Sequence, residues 1–251
     1  MMDSSWRKMY RVGAAAALLA VVFFRRNLGA ELTQFNGFGL FTVPAIPPVS
    51  ALEWLTLLQN NRFVAMALLG AFDLVNYLLI GLVFLALYGA LRREDSSVML
   101  LAIIMAWTGA AIFFASNQSF AMLDLSGKYA GAANEPQREM VLAAGEALLA
   151  ADNPGRATTG TGGYLSLLLF TTAGLLTAMV MRQSQHFSRS TAVIGIITTS
   201  LQLLYFLVIL LVPMLNWLPP TLSAPFRIVW YVMIAVQLFK LSNNKSNDGE
   251  K

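Results

Sequence analysis

The chain has 251 residues, of which 57% are hydrophobic and only 12% charged, with a mean hydropathy of +0.63; a soluble domain carries roughly 25% charged residues, so the composition points to a bilayer. The formal net charge of +4 comes from 17 Lys and Arg against 13 Asp and Glu, and these cations stand at the ends of apolar runs, as membrane topology requires, with no aromatic-interleaved basic patch for nucleic acid. With no cysteine and one histidine, His186, disulfides, thiolate nucleophiles, iron–sulfur clusters and multi-histidine or cysteine metal sites are excluded.

The first apolar run, 12–24, follows Arg7, Lys8 and Arg11 and has the length of a signal-peptide core. Arg25 and Arg26 follow it at once and no A-x-A site comes after it, so the favoured expectation is a retained helix over 9–28 with snorkelling arginines. The loop 29–62 carries Val49-Ser50-Ala51-Leu52-Glu53-Trp54. Ser50 and Glu53 have capping-box spacing and Val49 and Trp54 hydrophobic-staple spacing, which predicts a short helix from Ser50. Its leucines predict that it lies at the interface or packs on the bundle.

Spans are predicted at 63–91 and 98–120, joined by a short basic turn, because a hydrocarbon core of about 30 Å needs roughly 20 apolar residues. In the second long loop, 121–163, Met140, Ala144, Leu148 and Ala151 recur at helical spacing, predicting an amphipathic helix over 135–151 that begins near Pro136 and ends at Asp152-Asn153-Pro154-Gly155. The run 158–163 reads as a flexible entry to the next span. Further spans are predicted at 164–181, 191–212 and 226–239, the last short unless extended, and the polar tail 242–251 is expected to be disordered. The two hairpins look alike in layout, yet residue identities do not support an internal repeat.

Placing both termini in the cytoplasm puts ten Lys and Arg inside and seven outside, with the basic turns at 92–97 and 182–190 inside. The expected fold class is therefore all-α: a polytopic transmembrane bundle of about six spans in the cell membrane, with two helical extracytoplasmic loops.

Asp73 is the most informative polar residue. Counted from 63 it lies some ten positions into a span, where a carboxylate costs roughly 2.5–3.5 kcal/mol and needs a partner, a proton or water. Asn76 and Tyr77 follow one turn on, on the same helix face. The functional reading is a proton-linked, ion-linked or ligand site; the structural reading, slightly favoured, is an Asp that locks helices together. Thr108, Thr172, Gln202 and Gln237 are placed near mid-membrane and line one cavity with Asp73 or simply bond between helices. Asn117 and Gln118 belong to a polar patch at the outer end of the third span; Asn117-Gln118-Ser119 also matches a glycosylation sequon too common to weigh. His186 reads as an exposed residue at the headgroups, and Arg227 as a headgroup anchor.

Gly155 to Gly160 has phosphate-loop glycine spacing, but Thr161 stands where lysine is needed. HExxH, GxSxG and acidic pairs at metal spacing within a span are absent, so no catalytic residue, metal or cofactor is assigned.

His186-Phe187-Ser188-Arg189-Ser190-Thr191-Ala192-Val193-Ile194-Gly195, Val229-Trp230-Tyr231 and Leu238-Phe239, with Ala71-Phe72-Asp73-Leu74 and Leu87-Tyr88 upstream, make the chain resemble a family of multi-pass prokaryotic membrane proteins known as domain of unknown function number 4386. The likeness covers chiefly 164–241 and leaves out the first outer loop. It implies a six-helix membrane protein and brings no substrate, cofactor or catalytic residue. The expected role is non-enzymatic binding, sensing or scaffolding. The alternatives are a small transporter or channel built around Asp73, and a lipid-binding or lipid-modifying enzyme. Membrane lipids are the expected partners. Small-xxx-small spacings such as Ala106 to Ala110 also leave room for a homo-oligomer or another membrane protein.

Overall fold

In the computed structural model, residues 6–23, 44, 46, 48–154 and 160–243 are described. The chain is all-α, 85% helical and without strands among those residues. The helices are α1 (Arg7–Phe23), α2 (Ala51–Asn60), α3 (Arg62–Leu68), α4 (Ala71–Leu91), α5 (Ser96–Ser116), α6 (Ser119–Ala130), α7 (Glu135–Ala151), α8 (Thr161–Met181), α9 (Arg189–Leu211) and α10 (Leu218–Asn243). Five helical stretches, 71–91, 96–130, 161–181, 189–211 and 213–243, are long and apolar enough to cross a membrane. With 17 described residues, α1 is about 26 Å long. The predicted continuation to 28 and the tail from 244 lie outside the described residues.

The chain divides into two compact units: Met1–Phe24, Asn76–Ala110 and Leu167–Lys251 form a bundle unit, and Arg25–Val75 with Ala111–Ser166 form a loop unit. The two hold together by different physics.

In the bundle unit, small residues let backbones approach, as expected where lipid removes the hydrophobic drive between helices. Ala14, Ala17 and Ala20 of α1 are fully buried, and Gly13 lies so close to Ala86 of α4 that no side chain fits between them. At the end of α4, Gly89 lies under the Trp6 ring, and the Arg92 guanidinium sits 5.0 Å from that ring's centroid. Ala106 and Ala110 are fully buried inside this chain, so their small-xxx-small spacing serves intramolecular packing. On α10, Trp230 lies in a slot between α8 and α9: a Cβ on Gly195 would stand 2.6 Å from its indole, and one on Gly174 3.5 Å away.

The loop unit has a core of its own. Ala51, Trp54, Leu55, Leu58, Ala65, Leu69, Met122 and Leu149 bury one another, each large side chain contributing about 1.5–3 kcal/mol where water is the alternative. The predicted start of α2 is as expected: Ser50 accepts from the Glu53 N–H, and Glu53 accepts from the N–H groups of Ser50 and Val49. α7 also falls on its predicted 135–151, with Asn134 as N-cap and proline in its first turn. Glu146 accepts from the Ala51 N–H at 2.6 Å, and the Asn153 amide donates to the Val49 carbonyl at 2.8 Å, tying the start of α2 to α7.

Three boundaries differ from expectation, each for a local reason. The run 63–91 is two helices, because Gly70 adopts φ +78°, a left-handed conformation that ends a helix and that glycine takes at least cost. The region after 116 re-enters a helix, α6, where a loop was expected. α10 starts at Leu218 rather than 226: Pro219 and Pro220 occupy its first turn, where their missing N–H costs nothing, and Pro225 is carried inside.

Candidate functional site

The sequence-predicted polar residues fall into both units. Asp73, Asn117 and Gln118 belong to the loop unit; Asn76, Tyr77, Thr108, Thr172, Gln202 and Gln237 belong to the bundle unit.

In the loop unit the centre is Gly70. The Leu69 N–H closes α3 on Ala65, the Gly70 N–H reaches back to the Ala67 carbonyl, and the Gly70 carbonyl accepts from the Asp73 N–H at 3.2 Å, leaving the Leu69 carbonyl without a helical continuation. Asn117 adds a side-chain donor to both: its amide lies 3.2 Å from the Gly70 carbonyl and 3.5 Å from that of Leu69. Its oxygen accepts from the N–H and hydroxyl of Ser119, which turns the chain from α5 into α6. The amide is thus engaged on both sides, which explains the sequon without a glycan. Gln118 is the N-cap position of α6 and makes no side-chain cap bond.

Asp73 stands in the first turn of α4, not ten residues into a helix as the unbroken run 63–91 implied. A carboxylate is favourable there, near the positive end of the helix dipole. A Cβ on Gly70 would lie 3.4 Å from both the Asp73 carboxylate and the Asn117 amide, so both side chains close round the break. This is a junction that fixes three helix ends, α3, α4 and the α5–α6 turn.

In the bundle unit, Asn76 is 6% exposed and its side-chain oxygen is buried without a partner among the described residues. Tyr77 meets Phe170 of α8 edge-on, with ring centroids 4.8 Å apart. Thr108 is exposed. The Thr172 hydroxyl donates to its own helix at Leu168, whereas Thr171, one position earlier, reaches Gln202 of α9 at 3.4 Å. Gln237 lines a groove near the end of α10, beside His186 and Lys240.

Arg227 was read as an anchor at the start of the last span. Because α10 begins at Leu218, Arg227 lies about 14 Å along the helix, one turn before the buried Tyr231. A cation at that depth in an apolar helix marks a site worth testing.

No curated protein and no solved structure matches the chain. The family model described as "Domain of unknown function (DUF4386)" matches residues 12–240, and so covers the first outer loop as well as the second half. With an all-α fold and five helices fit to cross a bilayer, the chain is a membrane-embedded protein, and it belongs to the DUF4386 family.

Proposed function

We propose that this chain is a non-enzymatic binding or sensing protein of the cell membrane, with both termini cytoplasmic and the loop unit outside. The observation that carries this reading is the core of the loop unit: segments that merely connect spans need not bury Trp54, Leu55 and Met122. An ordered body built from connecting segments offers a defined surface, which is what a receiving element requires. Charge supports the orientation. Among the described residues the bundle unit's helix ends and turns hold Arg7, Lys8, Arg11, Arg92, Arg93, Arg182, Arg189 and Lys240, whereas the loop unit holds Arg62, Lys128 and Arg138.

The transporter alternative asks Asp73, Gln202 and Gln237 to work at one level. Asp73 borders a helix break, Gln202 bonds Thr171, and Gln237 lies beside Lys240, so no observation favours it. Native mass spectrometry of the mildly extracted protein tests the binding role. A small molecule or subunit retained in fixed stoichiometry, and lost when Trp54→Ala opens the loop unit, is the expected result. A pH-dependent ion flux in proteoliposomes that Asp73→Asn abolishes would overturn it in favour of transport.

A further inference from the structure

One end of the bundle unit gathers cations. Trp6 and Arg92 meet there, Arg11 reaches Asn243 at the end of α10 at 3.5 Å, and the turn between α8 and α9 carries Arg182, His186 and Arg189. Between that turn and α10 runs a shallow, wide-open groove of about 720 Å³.

Its lining is divided by chemistry. Gln185, His186, Gln237, Lys240 and Asn243 supply donors, and no carboxylate lines the groove among the described residues. Val236 and Phe239 form an apolar part of the wall and are themselves exposed, at 48% and 36%. A purely aqueous anion would leave that apolar wall uncovered. A molecule with an anionic head and an acyl tail matches both parts, with Lys240 and His186 at the head and Val236 and Phe239 along the first methylenes.

We propose that this groove binds the phosphate headgroup of an anionic glycerophospholipid from the adjoining leaflet. The phosphodiester accepts from Lys240 and His186, with Gln185, Gln237 and Asn243 as neutral donors. Arg11, held on Asn243, adds positive potential at the same helix end. The site does not depend on what the loop unit receives.

The test is native mass spectrometry of the full chain in detergent, titrated with dioleoylphosphatidylglycerol or dioleoylphosphatidylcholine. A cation at an anionic membrane surface strengthens binding about fivefold, so the wild type should retain one phosphatidylglycerol with a preference of at least about tenfold. His186→Gln with Lys240→Gln should erase that preference and leave bulk lipid adducts unchanged. Equal retention of the two lipids, or an intact preference in the double variant, overturns the proposal. Displacement of the lipid by millimolar glycerol 3-phosphate would assign the groove to soluble phosphate compounds and overturn the lipid assignment. Should the double variant misfold, wild type in nanodiscs with a headgroup-diazirine phosphatidylglycerol decides: crosslinks concentrated at 182–189 and 236–243 are expected, and crosslinks spread evenly over all helix ends refute the site.

Discussion

Asn117→Ala removes the donor that closes the break at Gly70, and its cost follows from two distances. The bond to the Gly70 carbonyl, 3.2 Å, is an ordinary one, and that to Leu69, 3.5 Å, is marginal. One good bond contributes about 1 kcal/mol net, and the Leu69 carbonyl left without a donor adds to the loss while the Gly70 carbonyl keeps the Asp73 N–H, so a total of about 1.5 kcal/mol is expected. That corresponds to roughly a tenfold fall in local protection. Hydrogen exchange by mass spectrometry reads it directly: peptides covering 62–75 should exchange about tenfold faster in the variant, while those covering the middle of α9 should not change. The Gly70 and Asp73 N–H groups, bonded to Ala67 and Gly70, are the amides to watch. A change below twofold at 62–75, or an equal change throughout, would refute the claim that Asn117 pins this junction.

Gly195→Ala forces a methyl to within 2.6 Å of the Trp230 indole and 2.9 Å of the Ala178 methyl; overpacking of this kind costs about 1–3 kcal/mol, to be read as a lower thermal midpoint with altered tryptophan fluorescence. Trp54 is fully buried and its indole N–H has no partner among the described residues, so Trp54→Phe should be nearly neutral whereas Trp54→Ala should cost about 3–5 kcal/mol, a contrast that thermal unfolding separates. The Glu53 carboxyl lies below its ordinary value of 4.5 because the N–H groups of Val49 and Ser50 donate to it. A lowered folded-state value means the capping contribution is present above 4.5 and lost as pH falls through the folded value. Exchange at the start of α2 should therefore accelerate below about pH 4.5 beyond the intrinsic pH effect, and Glu53→Gln should remove that extra dependence.

Much of this fold was legible where the signal is local. The Ser50–Glu53 box and the start of α7 near Pro136 are fixed by side chains within a few residues, so the sequence sufficed to place them. The apolar runs announced spans because the bilayer demands length and little else. Hydropathy, however, averages over the Gly70 break: Leu68-Leu69-Gly70-Ala71 is apolar throughout, and only the pairing of a C-terminal glycine with Asp73 three residues on marks one helix ending and another beginning. That missed break is what moved Asp73 from an assumed mid-span position to a helix start. The three prolines near 219–225 hid the start of α10, and with it the depth of Arg227. The groove at His186 and Lys240 joins residues some 50 positions apart, a convergence that no periodicity encodes.

The chain is membrane-embedded, and the orientation we propose for it puts its basic helix ends in the cytoplasm and its loop unit outside. Because the chain has no cysteine, single substitutions give clean reporters: Glu139→Cys in α7 and Gln183→Cys in the turn after α8, both at exposed positions. A membrane-impermeant maleimide should label Glu139→Cys in intact cells, and Gln183→Cys only after the membrane is opened. Labelling of Gln183→Cys in intact cells, or of both variants alike, would contradict the account.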